Sequence, residues 1–343
     1  MAHSQNVAWE KPLEKPRVPK RSLGTPSAKL RFGTHYAGVG NYGETEFRGG
    51  GSQTEFGNQK ETEFRGVDSQ TLFGNQEKRS LLRCVECHNL LSRPNEDGTA
   101  CDACGHNYPI RDGLLIAQGE LTGKNRIAAA FYNSERWPRF RPWEQLFLKT
   151  LGGLPGARMQ ILRHLRDLRR GSLLEVGIGD GENVALLPRS LAISGIDIAE
   201  RPLADCRDRF PNRGLFLALA EGERIPFADH SFDAVLSVGG FNFYSDPQSA
   251  LTEMARVTKP GGLVVVADEL PNLFEWGWGH LLGFPRLDDW LMRRFWLGPE
   301  FTDMVIGTRL DVAALARATL RCAVVHRIWR GLGYCIVGEP LHD

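Results

Sequence analysis

The sequence predicts a doubly wound α/β domain with a mostly parallel sheet over roughly its C-terminal two-thirds. From about residue 125 onward, apolar stripes at helical spacing alternate with short β-rich runs. Such alternation is the mark of parallel strands joined by helices on both faces. One run, Ser172 to Val176, leads into a glycine-rich turn at Gly177, Gly179 and Gly181. A second run ends on Asp197, about 20 residues after Gly177, where a carboxylate reaches the hydroxyls of a bound ribose.

The bulk numbers narrow the function classes. The 343 residues exceed the length of one average domain, about 150 residues, and are 42% hydrophobic, enough for a substantial core. A formal net charge of +1 gives no global electrostatic case for nucleic acid or a membrane surface. No run reaches the roughly 18 apolar residues of a membrane span, and the first 30 or so residues lack the apolar stretch of a signal peptide. A cytoplasmic protein is expected. Seven cysteines in that compartment point to metal binding or packing rather than disulfides.

The chain reads as three regions. Residues 1–78 hold a Pro- and Lys/Arg-rich stretch followed by a degenerate repeat, Thr45-Glu46-Phe47, Thr54-Glu55-Phe56, Thr62-Glu63-Phe64 and Thr71-Leu72-Phe73. One phenylalanine per unit buries too little surface to offset the entropy of ordering, so a disordered tail is expected. Residues 80–118 carry two CxxC pairs, Cys84 with Cys87 and Cys101 with Cys104. Four thiolates so spaced converge on one tetrahedral point, the closed sulfur site that Zn²⁺ takes. Gly105 suits the tight turn after the second pair, and His88 suits the first less well. Both His88 and His106 are spare ligands, although four cysteines already fill the site. The α/β domain is expected over 125–343, folding without help from the metal.

The segment from Cys84 to Leu114, ending Tyr108-Pro109-Ile110-Arg111-Asp112-Gly113-Leu114, resembles the small zinc ribbons that precede or partner methyltransferases. Further on, Glu175-Val-Gly177-Ile-Gly179-Asp-Gly181 resembles the first motif of class I S-adenosylmethionine-dependent methyltransferases. Glu221 to Phe227 with Ser231-Phe232-Asp233, and then Arg256-Val257-Thr258-Lys259-Pro260-Gly261-Gly262, resemble their later motifs in order and spacing. The resemblance leans toward the quinone-biosynthesis and small-molecule branch. It implies a seven-stranded Rossmann-like sheet, S-adenosylmethionine as cofactor, and a structural zinc ion.

Position by position, the resemblance puts Glu175 near the methionine amino end, Gly177 and Gly179 along the ligand, Asp197 on the ribose and Ile198 beside the adenine. Glu221 stands where an aspartate usually receives the adenine amino group. Gly222 offers a backbone N–H there, and Val238 approaches the amino-acid end. Glu182 occupies the place where a dinucleotide site wants Gly or Ala, and its charge would oppose a pyrophosphate. Gly181, Pro260 and Gly261 read as turn residues, Phe232 and Asp233 as strand-shaping, and Glu223 as solvated.

Methyl transfer is displacement at an activated centre, so positioning outweighs acid–base machinery. Ligands of open α/β sheets sit beyond the carboxyl ends of the strands. Substrate-pocket candidates are therefore Asn242, Tyr244 and Asp246 in the loop after one such strand, Tyr132 in an aromatic leading segment with Trp137, Phe140 and Trp143, and His280. The last lies in an aromatic insertion, 271–305, expected to form a lid; plain core packing is the simpler alternative and a membrane-surface patch the next. Cys206, Cys322 and Cys335 read as packing thiols. The leading expectation is methylation of a small, apolar acceptor. An RNA methyltransferase using the ribbon for recognition is the alternative, resting on Arg136, Arg139, Arg141, Lys149, Arg158, Arg163, Arg166, Arg169 and Arg170. A non-catalytic cofactor-binding module is the third reading.

Overall fold

The computed structural model describes residues 82–92, 94–271 and 283–341, all within one compact unit. The repeat segment and His280 lie outside these residues.

The cysteine-bearing segment supplies three short strands, Gly98–Ala100 (β1), Asn107–Arg111 (β2) and Leu114–Ile116 (β3). Seven more follow: Gly171–Val176 (β4), Leu191–Asp197 (β5), Phe216–Leu219 (β6), Phe232–Val238 (β7), Thr258–Glu269 (β8), Leu320–Ile328 (β9) and Gly333–Pro340 (β10). They form one sheet in the order β1-β2-β3-β6-β5-β4-β7-β8-β10-β9. The run β6-β5-β4-β7-β8 is parallel, and β10 lies antiparallel between β8 and β9. The chain reverses its direction of travel across the sheet on either side of β4, which makes the carboxyl end of β4 the crevice where such sheets bind ligands.

The expected seven strands are therefore present, but the sheet has ten. β3 pairs in parallel with β6, Leu115 opposite Ala218 and Ile116 opposite Leu219. That pairing satisfies the edge of β6, which would otherwise face solvent with open N–H and C=O groups. Leu82 also bridges Phe227, and the Arg83 N–H donates to the Pro226 carbonyl at 3.2 Å. Leu82, Tyr108 and Leu115 share one apolar cluster with Phe227, Phe232 and Val235. The cysteine unit is joined to the sheet in pairing and in packing.

Side-chain alternation assigns the two faces. Leu174, Val176, Ile196 and Val235 point to the cluster that includes the cysteine unit. Leu173, Ile193, Leu236 and Val265 point to the other. This is the period-2 pattern of strands covered on both faces.

Eight α-helices lie among the described residues. They are Gly123–Tyr132 (α1), Arg136–Lys149 (α2), Gly153–Leu162 (α3), Glu200–Arg209 (α4), Pro247–Val257 (α5), Pro285–Leu291 (α6), Pro299–Gly307 (α7) and Val312–Thr319 (α8). Pro247, Pro285 and Pro299 occupy the first helical turn, where a missing N–H costs nothing. Asp246 and Asp311 accept the first free amides of α5 and α8. A single π-turn, Met292–Trp296, continues α6.

No helix follows the glycine turn directly. Glu182 to Leu187 forms successive turns, with Val184 N–H on the Gly181 carbonyl and Leu186 and Leu187 N–H on that of Asn183. Side-chain contacts of Glu182 and Asn183 hold the chain there, and Pro188 disfavours helix in the residue before it. Without a helix N-terminus behind the glycine turn, the dipole that favours a pyrophosphate is absent from this position.

Candidate functional site

The glycine turn is made possible by backbone that other residues avoid: Gly177 has φ 75° and Gly179 φ 54°. A Cβ placed on Gly179 would project into open space, so the backbone there is bare toward the crevice. Asp197, at the end of β5, clasps this turn. Its Oδ2 accepts from the Gly179 N–H at 2.8 Å and its Oδ1 from the Ala199 N–H at 2.9 Å. Burial raises the Asp197 pKa, and the backbone donors at Ala199, Gly179 and Ile198 pull it back.

Glu175 is fully buried at the end of β4. Its Oε1 accepts from Asn183 Nδ2 at 2.6 Å, while Oε2 has no hydrogen-bond partner. Burial pushes its pKa up to about 7, against the pull of Asn183 and Arg158. A buried carboxylate with one free oxygen and an elevated pKa suits a cationic ligand group.

These residues border one cavity of about 700 Å³, to which Glu175, Gly177, Gly179, Asp197, Ile198, Gly222, Val238 and Tyr244 all contribute. The same cavity continues into an aromatic chamber walled by Phe131, Tyr132, Trp137, Phe140, Phe243, Trp296 and Phe301. Phe131 stacks on Phe301 with ring centres 4.0 Å apart, and Tyr132 meets Trp137 edge-on at 5.0 Å. The described part of the aromatic insertion thus covers the crevice, with Met292, Leu297, Phe301 and Val305 facing inward.

Several candidates from the sequence sit elsewhere. Glu221 does not border the cavity; its carboxylate accepts from Asn125 Nδ2 at 3.0 Å and from Arg224 at 3.3 Å. Its longer side chain reaches these neighbours, and the backbone on either side, at Ala220 and Gly222, borders the cavity instead. Glu223 is not solvated, since it accepts from Asn125 and from the Asp246 N–H. Asn242 spends its amide on the Glu269 carbonyl and the Tyr334 hydroxyl, so it braces β8 against β10. Asp246 caps α5, accepting from Gln248 N–H, Ser249 N–H and the Ser249 hydroxyl. Tyr244 and Tyr132 do border the cavity. A Cβ on Gly222 would lie 2.9 Å from the Tyr244 ring, so that glycine is needed for the ring to pack. Cys206 and Cys335 are buried as expected of packing thiols, but Cys322 is exposed on the edge strand β9.

Glu182 is not a bare anion. Arg141 and Arg158 both pair with it, Arg158 at 2.7 Å, and Arg141 also takes Asp180 at 2.6 Å. The two arginines come from α2 and α3 and turn inward, which splits the basic run that had suggested RNA. They also weaken the argument that a charge at 182 excludes a pyrophosphate; the missing helix carries that exclusion instead.

Sequence reasoning missed Glu144, Arg158, Asn183, Phe243 and Trp329, all at the cavity wall. Glu144 had a signal. It is the only acid in α2, and with Trp137, Phe140 and Leu148 it lies on one face at spacings of three and four residues. Burial, then Glu182, pushes its pKa up to about 7, with Arg158 and Arg141 opposing. Trp329 had none: it borders the cavity from the turn between β9 and β10, its Nε1 donating to the Ala157 carbonyl at 3.2 Å.

The second candidate site is the cysteine cluster. The Sγ atoms of Cys84, Cys87, Cys101 and Cys104 all lie within 4.8 Å of one another, with Cys84 to Cys104 at 3.6 Å and Cys87 to Cys101 at 3.4 Å. A tetrahedral Zn²⁺ with Zn–S of about 2.3 Å needs sulfurs spaced like these. The two knuckles match in backbone. His88 N–H donates to the Cys84 carbonyl at 3.0 Å and Gly105 N–H to the Cys101 carbonyl at 2.8 Å. His88 adopts φ 64° and Gly105 φ 75°, so the histidine takes the left-handed turn that glycine takes in the other. Tyr108 Oη donates to Cys84 Sγ at 3.0 Å, and Asn89 Nδ2 to Cys87 Sγ at 3.4 Å, contacts that orient these two sulfurs. His106 packs its ring on Tyr108 rather than joining the cluster.

Residues 174–266, from β4 into β8, match the family model described as "Methyltransferase domain". The chain is 33% identical over 106 residues to phosphatidylethanolamine N-methyltransferase of Cereibacter sphaeroides, covering 30% of this chain and 52% of that protein. It is 35% identical over 109 residues to phthiotriol/phenolphthiotriol dimycocerosates methyltransferase of Mycobacterium tuberculosis, covering 31% of this chain and 40% of that one. It is 34% identical over 115 residues to fatty-acid O-methyltransferase of Mycolicibacterium smegmatis, covering 32% and 42%. The match thus spans about half or less of each of these relatives.

Proposed function

We propose that this chain is an S-adenosylmethionine-dependent methyltransferase acting on a small, largely apolar acceptor, and that its four cysteines hold a structural zinc ion. The observation that carries the first reading is the single cavity in which the glycine turn, Asp197 and Glu175 open directly into an aromatic chamber. The similarity to a phosphatidylethanolamine N-methyltransferase, a fatty-acid O-methyltransferase and a phthiotriol/phenolphthiotriol dimycocerosates methyltransferase supports an acceptor of lipid character.

Bound S-adenosylmethionine supplies a methyl group already activated by its sulfonium charge. Asp197 orients the ribose while its other contacts keep the turn closed. Glu175, through its free oxygen, receives the amino group, and Tyr244 with Gly222 bounds the adenine side. The aromatic walls hold the acceptor and exclude water, which raises the worth of every charge inside. Most of the acceleration on this reading is positioning. Incubating the protein with isotopically labelled methyl donor and separate lipid, quinone and RNA extracts tests it. Label in the lipid or quinone fraction is expected. Label in RNA alone, or in nothing while cofactor binding is intact, would reject it.

The elevated Glu175 pKa gives a pH signature. The cationic amino end of the cofactor favours the ionised carboxylate, so below pH of about 7 binding must expel a proton. Affinity should fall up to about tenfold per pH unit there. Arg158 facing Glu175 opposes protonation, while Asp197 and Glu182 favour it. The sign is opposite for the ligand-free fold: its stability from this group is fully present at low pH and is lost as pH rises through about 7. Calorimetry in buffers of different ionisation heat reads the released proton. A pH-independent affinity, or a slope unchanged in Glu175→Gln, would remove Glu175 from the amino-group role.

A further inference from the structure

The mouth of the cavity carries an apolar surface that no described part of the chain covers. Trp143 and Leu146, three residues apart on α2, are both more than half exposed. Phe284, Leu287 and Trp290 repeat that spacing along α6, and Phe295 follows in the π-turn, all likewise exposed. The two elements meet: Trp143 and Trp296 have ring centres 5.9 Å apart, and Trp290 meets Phe295 edge-on at 5.4 Å. The wide turn accounts for the split of roles. It aims Met292 and Trp296 into the cavity and leaves Arg294 and Phe295 on the outside. Trp143 belongs to both surfaces, since it is exposed and also lines the cavity. Contiguous large apolar groups in water are costly unless they have an occupant.

Charge identifies the occupant. Arg139, Arg286 and Arg294 are exposed and form no ion pair among the described residues, and Arg294 lies over the Phe295 ring at 5.3 Å. Two of the acids nearby, Asp289 and Asp303, both pair with Arg293, at 2.8 and 2.5 Å. The patch therefore offers tryptophans and phenylalanines flanked by exposed guanidinium groups. That composition suits the headgroup level of an anionic bilayer, where indoles sit at the polar boundary and arginines meet lipid phosphates.

We propose that this patch docks the protein on an anionic membrane surface, with the cavity mouth facing the lipid, so that the acceptor passes from bilayer to aromatic chamber without crossing water. The docking rests on the patch itself. Only the acceptor's route rests on the methyltransferase reading, and vesicle binding is measured without turnover, so the two fail separately.

The test is co-sedimentation of the full chain with vesicles of phosphatidylcholine alone and of phosphatidylcholine mixed with phosphatidylglycerol. Binding to the mixed vesicles is expected, weaker binding to the neutral ones, and a decline with salt. The double variant Trp290→Ser, Phe295→Ser should lower partitioning about tenfold or more. Arg286→Gln with Arg294→Gln should cost a similar factor on mixed vesicles and little on neutral ones. Val324→Ser, also exposed but on the edge strand β9, should change nothing. All variants should keep cofactor affinity, which shows that they fold. No sedimentation with either vesicle, or binding that the patch variants leave intact, would overturn the proposal. So would concentration-dependent self-association lost in Trp290→Ser, Phe295→Ser with no vesicle binding, because the patch would then join two copies of the chain.

Discussion

Asp197→Ala is expected to weaken S-adenosylmethionine binding by about 1.5 to 3 kcal/mol, roughly ten- to a hundred-fold, toward the upper end of that range. Two losses combine. The ribose loses a charged acceptor, and the turn loses the clasp formed by Gly179 N–H and Ala199 N–H on the two carboxylate oxygens. The fold should survive, because β5 keeps its backbone pairing to β4 and β6. Asp197→Asn separates the contributions: it keeps an acceptor for one amide and removes the charge, so it should fall between wild type and alanine. Titration calorimetry reads both. An unchanged dissociation constant in the alanine variant, with an unchanged melting temperature, would show that another group holds the ribose.

The glycine turn and the carboxylate that closes it were legible because backbone geometry restricts the residues that can form such a turn. Gly177 and Gly179 adopt positive φ, which few other residues tolerate, and Asp197 at the end of β5 bonds the Gly179 amide. Asn242, Asp246 and Glu221 were misread for the opposite reason. A polar side chain near a strand end serves as well for a cap or a brace as for a ligand contact, and only the partners decide. For Asp246 the partners are the first amides of α5, and for Asn242 they are Glu269 and Tyr334. Glu182 shows a different blindness. Its neutralising partners Arg141 and Arg158 are 41 and 24 positions away in sequence, and tertiary pairing of that kind leaves no local pattern. Glu144 had a helical face to announce it, hidden within an aromatic run that drew attention to its rings.

Removing the metal from the cysteine cluster, by strong chelator or by Cys101→Ser, is expected to lower the stability of the whole described unit. The sequence argued for independence, since a ribbon of this size has little core of its own and the α/β domain has ample. The pairing of the two regions argues against that division. β3 closes the edge of β6, Leu82 bridges Phe227, and fully buried Tyr108 both donates to Cys84 Sγ and accepts from the Val85 N–H at 2.9 Å within the shared cluster. Losing the thiolate site frees these groups and exposes the β6 edge. Metal binding in such sites is worth on the order of 10 kcal/mol to the local fold. If about a third of that is transmitted through the shared core, the melting temperature falls by roughly 10 °C in one transition. Cofactor affinity should fall with it, several-fold, because the ribbon also grips the loop that carries Gly222 to the cavity wall. Glu86 holds Arg224 at 3.2 Å, Arg224 holds Glu221, and Arg83 pairs with Asp229 at 2.6 Å. Calorimetric melting with and without chelator, each repeated with cofactor, measures both effects. Two separate transitions, the larger unmoved and cofactor affinity intact, would restore the independent domain. Elemental analysis finding well under one zinc per chain in freshly purified protein would reject the metal itself.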